Sequence, residues 1–286
     1  AASDVYKRQA LIIALALAAA NTATAQQDTV RPVLSAYTFE AGSAHLCDTY
    51  LTPLRYSGWN LGLGYERMQA MRFNPRRWVM RLDARADLSR SLNPAGNAEM
   101  WQIGLRPSWS MMWRTSLPHG FTIAAGGNVG ADIGVLYLMR NSNNPASARA
   151  SVTIGATGMA VWNGRIGRLP VTLRYQPTIP LTGVFFSPDY DELYYEIWLG
   201  NHKGLAHCAW PGNFFRLDNL LTTDLRFGAT TLRLGYRCEV FSTKTSGIVT
   251  RDITHSFIIG IATEWLSLRS GSSHTPEAAI ISSLYQ

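Results

Sequence analysis

The stretch WVMRLDARADL, residues 78–88, constrains the fold more than any other part of the chain. Trp78, Met80, Leu82, Ala84, Ala86 and Leu88 share one parity, and Arg81, Asp83, Arg85 and Asp87 share the other. Successive side chains of a strand point to opposite faces, so an extended backbone here has one apolar wall and one ionic wall. A helix would mix the two sets. The period recurs: Leu61, Leu63 and Tyr65 alternate in SGWNLGLGYERM; Trp101, Ile103 and Leu105, then Trp109, Met111 and Trp113, in MWQIGLRPSWSMMW. Comparable windows follow at 121–138, 150–162, 169–176, 230–240 and 252–268. Between them lie turn formers such as SLNPAGN, RNSNNPAS and NGRIGRLP, where Gly, Pro, Asn and Ser supply the special backbone angles of turns. No internal repeat, domain linker or helical apolar stripe interrupts this pattern.

Strands of about ten residues, apolar outside and polar inside, are the signature of an outer-membrane barrel. Trp78, Trp162 and Trp265 stand at window ends, where indole suits the membrane interface. The fold expected is an all-β, antiparallel transmembrane β-barrel of 10–12 strands over residues 26–268, with twelve favoured because TFEAGSA or a division of 121–138 adds strands and barrels have even counts. The alternative is a soluble periplasmic β-sandwich or lipocalin-like barrel acting as a binding module. Its polar faces would meet water and favour Lys, Glu and Thr, whereas here they carry Arg, Asp and Gly. Arg81, Asp83, Arg85, Asp87, Arg233, Arg237 and Glu239 are read as a charge network in the lumen. They either knit a filled interior or line a pore for anionic solutes. The first is favoured, because opposed charges in a narrow lumen satisfy one another and unpaired ones are costly.

Ala10 to Ala20 contains only Leu, Ile and Ala, and Ala23-Thr24-Ala25 follows. This reads as a signal peptide over 10–25, cleaved after Ala25, and is too short for a spanning helix. In front of it, Asp4–Gln9 (DVYKRQ) resembles the translation of a transposon-end sequencing adaptor, so residues 1–9 are read as an assembly artefact. The destination expected is the outer membrane of a Gram-negative bacterium, with membrane lipid as partner and small solutes as cargo.

The chain has 23 Arg but only Lys7, Lys203 and Lys244. Arg grips carboxylate and phosphate through a planar fork, while Lys suits plain surface solubility. The bias points to enclosed networks or to lipid phosphates. Nucleic acid is not expected without clustered basic runs. Cys47, Cys208 and Cys238 allow one disulfide and a leftover thiol. His45-x-Cys47 and His207-Cys208 lack the second element of a metal motif, so neither metal nor cofactor is assigned. For catalysis, adjacent His255 and Ser256 face opposite sides of a strand and cannot cooperate, so His255 is read as capping a strand end at the interface. Ser272-Ser273-His274 falls in the C-terminal tail. No catalytic residue is assigned. Asp189-Tyr190-Asp191-Glu192 reads as a solvated acidic loop within two longer, loop-like segments, 177–198 and 200–219.

DTYLTPLRYSGWNLGLGYERMQAM, GRLPVTLRYQPTIPLTGVFFSPDYDELYYE and NFFRLDNLLTTDLRFG resemble an uncharacterised outer-membrane family of Bacteroidota, a domain of unknown function. The resemblance runs from Asp48 to Leu268 and implies a barrel-like outer-membrane protein. It brings no catalytic residues to carry over. The tail 269–286 does not resemble the family's end, and is read as of doubtful origin. The function expected is a porin-like narrow pore or an envelope scaffold, with a lipid-modifying outer-membrane hydrolase as the alternative.

Overall fold

A chain whose strands each carry an apolar and an ionic wall must hide one wall and satisfy every backbone hydrogen bond, and a closed barrel does both. A computed structural model describes residues 29–142, 144–190, 192–228, 230–265 and 279–285. Ten long strands form the wall: β2 (Val33–Asp48), β3 (Thr52–Ala70), β4 (Trp78–Leu92), β5 (Glu99–Ser116), β6 (Phe121–Leu138), β7 (Ala146–Ile166), β8 (Leu169–Phe186), β10 (Phe214–Phe227), β11 (Thr230–Thr245) and β12 (Ile248–Trp265). Each pairs antiparallel with its chain neighbour, and β12 pairs with β2 to close the ring. β9 (Ala206–Ala209) stands outside this ring sequence, paired only to the last turnward residues of β8. β1 (Thr29–Val30) and β13 (Ala279–Ile280) form a small parallel pair beside one mouth.

The count among the described residues is ten, not the favoured twelve. Residues 121–138 make one strand, of which 121–137 pair continuously with β7. Its glycines do not divide it: a Cβ on Gly126 would lie 2.0 Å from the Met111 carbonyl oxygen, so glycine there permits close strand contact. TFEAGSA is the middle of β2. The two expected long loops are also shorter than read: Pro177–Phe186 completes β8, and Phe214 onward builds β10. What remains, residues 187–205, carries one short helix, α1 (Tyr194–Trp198).

The wall is inside-out relative to a soluble protein. Ile133 is 62% and Phe257 73% exposed on the outer face, while Arg174 and Arg233 are 1% exposed within. An outward apolar belt of this extent is the arrangement of transmembrane β-barrel walls. The fold is therefore a closed barrel and not a sandwich. One mouth, here the terminal end, holds β1, β13 and the turns after β3, β5, β7 and β10. The opposite loop end holds the 187–205 segment.

Candidate functional site

The inward parity changes character along the barrel axis. At the terminal end it is apolar: Leu34, Met68, Val79 and Met112 pack with Leu284 and Tyr285 of the C-terminal segment. At the loop end Leu46, Leu51, Tyr56, Met100, Leu136 and Leu138 form a second apolar layer. Between the two lies an ionic layer.

Glu66 accepts from three guanidinium groups: Arg81 Nε at 2.6 Å, Arg174 Nη1 at 2.9 Å and Arg233 Nη1 at 2.6 Å. Arg85 bridges Glu40 at 3.2 Å and, across the lumen, Glu239 at 2.8 Å. Arg106 reaches Glu239 at 2.5 Å and Asp87 at 3.1 Å. Arg237 holds Glu40 at 2.8 Å and Asp218 at 3.3 Å, and Arg149 holds Asp252 at 3.0 Å. Arg216 binds Asp132 and lies 3.4 Å from Glu239. In all, eight arginines meet nine carboxylates in this layer among the described residues. Such balance leaves little free charge to attract an anion. The cavities left in the lumen hold about 30 Å³ near the loop end, 80 Å³ in the middle and 20 Å³ beside Glu66. Each has room for roughly one to three waters.

Of the residues singled out in the sequence, Arg81 and Asp83 bond directly at 2.7 Å. Arg85 passes over its strand neighbours Asp83 and Asp87 for Glu40 and Glu239. Arg233 goes to Glu66 and Asp224. Sequence reading missed Glu40, Glu66, Arg106, Arg174, Arg216 and Asp224. Each was signalled by one charge at the polar parity of an otherwise apolar window, as in GYERM or VTLRYQ. Trp78 opens β4, Trp265 ends β12 and Trp162 stands near the end of β7, all at the terminal end.

The loop end is lidded. Tyr50 OH donates to the Glu192 carbonyl at 2.9 Å, and its ring meets Tyr194 edge-on at 5.7 Å. The Ala148 N–H donates to Tyr194 OH at 2.6 Å. Burial pushes the Tyr194 phenol up to about 12. The acidic run is accordingly not wholly solvated: Glu192 is buried and accepts from the Asp189 N–H and Asn201 Nδ2.

The terminal end is plugged. Arg114 Nη1 donates to the Ser282 and Ser283 carbonyls at 2.9 and 2.8 Å, Asn163 Nδ2 to Leu284 O at 3.2 Å, and Tyr285 OH to Asp224 at 2.8 Å. This tail segment is thus built into the barrel mouth. The adaptor-like stretch, the signal peptide with its cleavage point, and Ser272–His274 lie outside the described residues.

On the outer wall His255 sits mid-strand, not at a strand end, bonded to Tyr236 OH at 2.6 Å, while Ser256 faces inward to Asn60. A different pair is joined instead. His45 and Ser57 are opposite each other on β2 and β3, both exposed near the loop end, with His45 Nδ1 2.9 Å from Ser57 Oγ. Residues twelve apart in sequence met only through the hairpin register. No carboxylate or amide is bonded to the His45 ring among the described residues. Cys47, Cys208 and Cys238 are free thiols, and no metal-holding group of three His, Cys, Asp or Glu exists among the described residues.

A closed antiparallel wall with an apolar exterior and an ionic interior is the architecture of an outer-membrane β-barrel. Within that class the chain belongs to the family described as protein of unknown function DUF3316, whose model matches residues 10–271. No curated protein matches it. Similar solved structures include the β domain of the Bordetella autotransporter BrkA (10% identity, TM-score 0.41, covering 82% of this chain and 100% of that one). The outer membrane protease OmpT from Escherichia coli is similar at 6% identity and TM-score 0.43, over 84% and 98% of the two chains. An outer membrane channel from Pseudomonas putida F1 is similar at 9% identity and TM-score 0.34, over 82% and 96%.

Proposed function

We propose that this protein is a sealed barrel of the Gram-negative outer membrane that serves as an envelope scaffold rather than as an open pore. The observation that carries this reading is the lumen: a near-balanced ionic layer between two apolar layers, with a cavity of about 80 Å³ at its middle. An ion entering it must displace paired charges that have no bulk water to replace their partners. The test is planar-bilayer recording on the full chain purified from outer membranes, after the unboiled protein has run faster than the boiled one on a gel. A quiet bilayer is expected. A reproducible steady conductance step would overturn the sealed reading and favour the narrow pore.

A second reading rests on the Ser57–His45 pair. A hydroxyl bonded to imidazole at the membrane edge has the first two parts of an acyl-transfer site: Ser57 Oγ would attack a lipid ester carbonyl while His45 takes its proton and returns it to the leaving alcohol. Water, deprotonated by the same ring, would then release the fatty acid. An orienting group and an oxyanion site are needed as well. Fatty-acid release from phospholipid vesicles that is lost in both Ser57→Ala and His45→Asn would support it; release unchanged in either variant would exclude it.

A further inference from the structure

The arginines outside the lumen are grouped. Arg72, Arg76 and Arg77 stand exposed on the β3–β4 turn, and Arg165, at the end of β7, and Arg168, on the β7–β8 turn, stand exposed in the barrel wall's next hairpin but one at the same end. Both turns are at the terminal end, with the β5–β6 turn and its exposed His119 between them. The exposed carboxylate at this end among the described residues is Glu264 on β12, which is bonded to Ser282 Oγ. At the loop end, by contrast, exposed Arg55, Arg140, Arg251, Lys203 and Lys244 are interspersed with exposed Asp189 and Glu196.

The arc is held in place by its own scaffold. In Asn74-Pro75-Arg76-Arg77, Asn74 Oδ1 accepts the Arg77 N–H at 3.2 Å. The Pro75 and Arg76 carbonyls accept from Arg114 at 2.8 and 3.3 Å. Arg77 lies over the Trp113 ring at 5.5 Å and donates to Thr115 at 3.2 Å. Across the arc, Gly167 adopts φ 61°, which lets a two-residue turn carry Arg168 at its tip. Directly behind these turns, on the outer face, are Trp78, Trp113, Phe121 and Trp162, the aromatics of one interface. The guanidinium groups therefore stand one step beyond the aromatic level, where headgroup phosphates lie.

We infer that this arc is a binding surface for the phosphate groups of anionic membrane lipids, retained against one side of the barrel. The inference rests on the membrane reading above. Arg forks phosphate oxygens in a bidentate manner, which accounts for Arg rather than Lys at every one of these five positions. A lipid phosphate is favoured over a free anion because the arc adjoins an apolar wall that an acyl chain would cover.

The test compares the full chain with Arg76→Gln/Arg165→Gln/Arg168→Gln, and with Lys203→Gln/Lys244→Gln as a loop-end control. Each is placed in nanodiscs of mixed phosphatidylcholine and phosphatidylglycerol, extracted into detergent, and the retained lipid is identified by native mass spectrometry. The unchanged chain and the control should keep phosphatidylglycerol in preference to phosphatidylcholine. The arc variant should lose that preference, by about fivefold for each arginine neutralised. Equal retention by the unchanged chain and the arc variant overturns the inference. So does loss of the preference in the unchanged chain on adding inorganic phosphate, which would mark a free-anion site. Heat-modifiable migration, read on the same samples, reports the barrel separately: a variant that migrates normally but loses the lipid supports the surface. Absence of a folded band in every sample would count against the membrane reading itself.

Discussion

Arg233 and Asp224 are directly opposite one another on β11 and β10, and they form a two-pronged ion pair, Nε to Oδ1 and Nη2 to Oδ2, both at 2.7 Å. The same Arg233 donates to Glu66, and the same Asp224 accepts from Tyr285, so this pair joins the ionic layer to the terminal plug. Asp224→Ala leaves a buried guanidinium short of its fork. Removing one partner of a buried pair costs about 3–5 kcal/mol. The expected outcome is a lower urea midpoint for conversion of the fast-migrating band to the slow one. Asp224→Leu combined with Arg233→Met should recover part of that loss, because an apolar pair strands no charge. An unchanged midpoint in Asp224→Ala would show that water already screens the pair.

The plug is expected to stabilise the barrel without controlling conductance. Leu284 is 3% exposed within the terminal-end apolar layer. Leu284→Ala should cost about 2–4 kcal/mol for the cavity it leaves. Tyr285→Phe removes only the hydroxyl, which bonds Asp224 and Thr231, and should cost about 1 kcal/mol. Neither variant should produce channel events in a planar bilayer, since the arginine–carboxylate pairs above the plug stay in place. A variant of normal stability that conducts would instead make the tail the seal.

Much of this wall is legible in the chain itself. The parity of Trp78–Leu88 is the parity of burial along β4, because a strand period of two leaves no ambiguity over eleven residues. Partnership is another matter. Arg85 lies beside two aspartates in sequence, yet closure of the ring brings Glu40 and Glu239 nearer. Which acid meets which arginine depends on register and curvature, neither of which is local. The apolar layers at both mouths were hidden for a related reason. Val79 shares the parity of Arg81, and only its position at the terminal end makes that face apolar. Likewise, His45 and Ser57 become a pair only once the β2–β3 turn sets their register.

The lid should respond to alkaline pH. Burial disfavours the Tyr194 anion and pushes its phenol up from the ordinary tyrosine range to about 12, and burial raises Tyr50 in the same direction. A raised folded-state value means that the docked lid holds its phenol proton where the undocked one releases it. This contribution is whole below pH about 10 and is lost as pH rises towards about 12. In a spectrophotometric titration of the folded protein, tyrosinate absorbance should show a late component near pH 12 that shrinks in Tyr194→Phe. Loss of amplitude near pH 10 in that variant, with the late component unchanged, would place Tyr194 in contact with water.

The weakest line of the wall runs between β8 and β10. Their ladder pairs Val171–Thr178 with Asp218–Leu225, and β9 takes up pairing again at Gly183, but Ile179–Thr182 have no partner on β10 among the described residues. Pro180 has no N–H to offer, and residues 210–213 form a turn between β9 and β10, with Trp210 57% exposed. Proline inside a strand marks just such an interruption. Amides that face this seam should exchange with deuterium faster than those of Val171–Gln176 and Leu220–Leu225 on either side. Pro180→Val restores a donor but not the register, so it should slow exchange at its immediate neighbours only. The cavity of about 80 Å³ behind the seam is lined by Thr178, Pro180, Arg216 and Asp218. Solvent reaching it through the seam would show as exchange that depends on the detergent or lipid covering the outer wall. Uniform protection along the whole of β8 would mean that the strands close in the membrane, and that the interruption is confined to side chains.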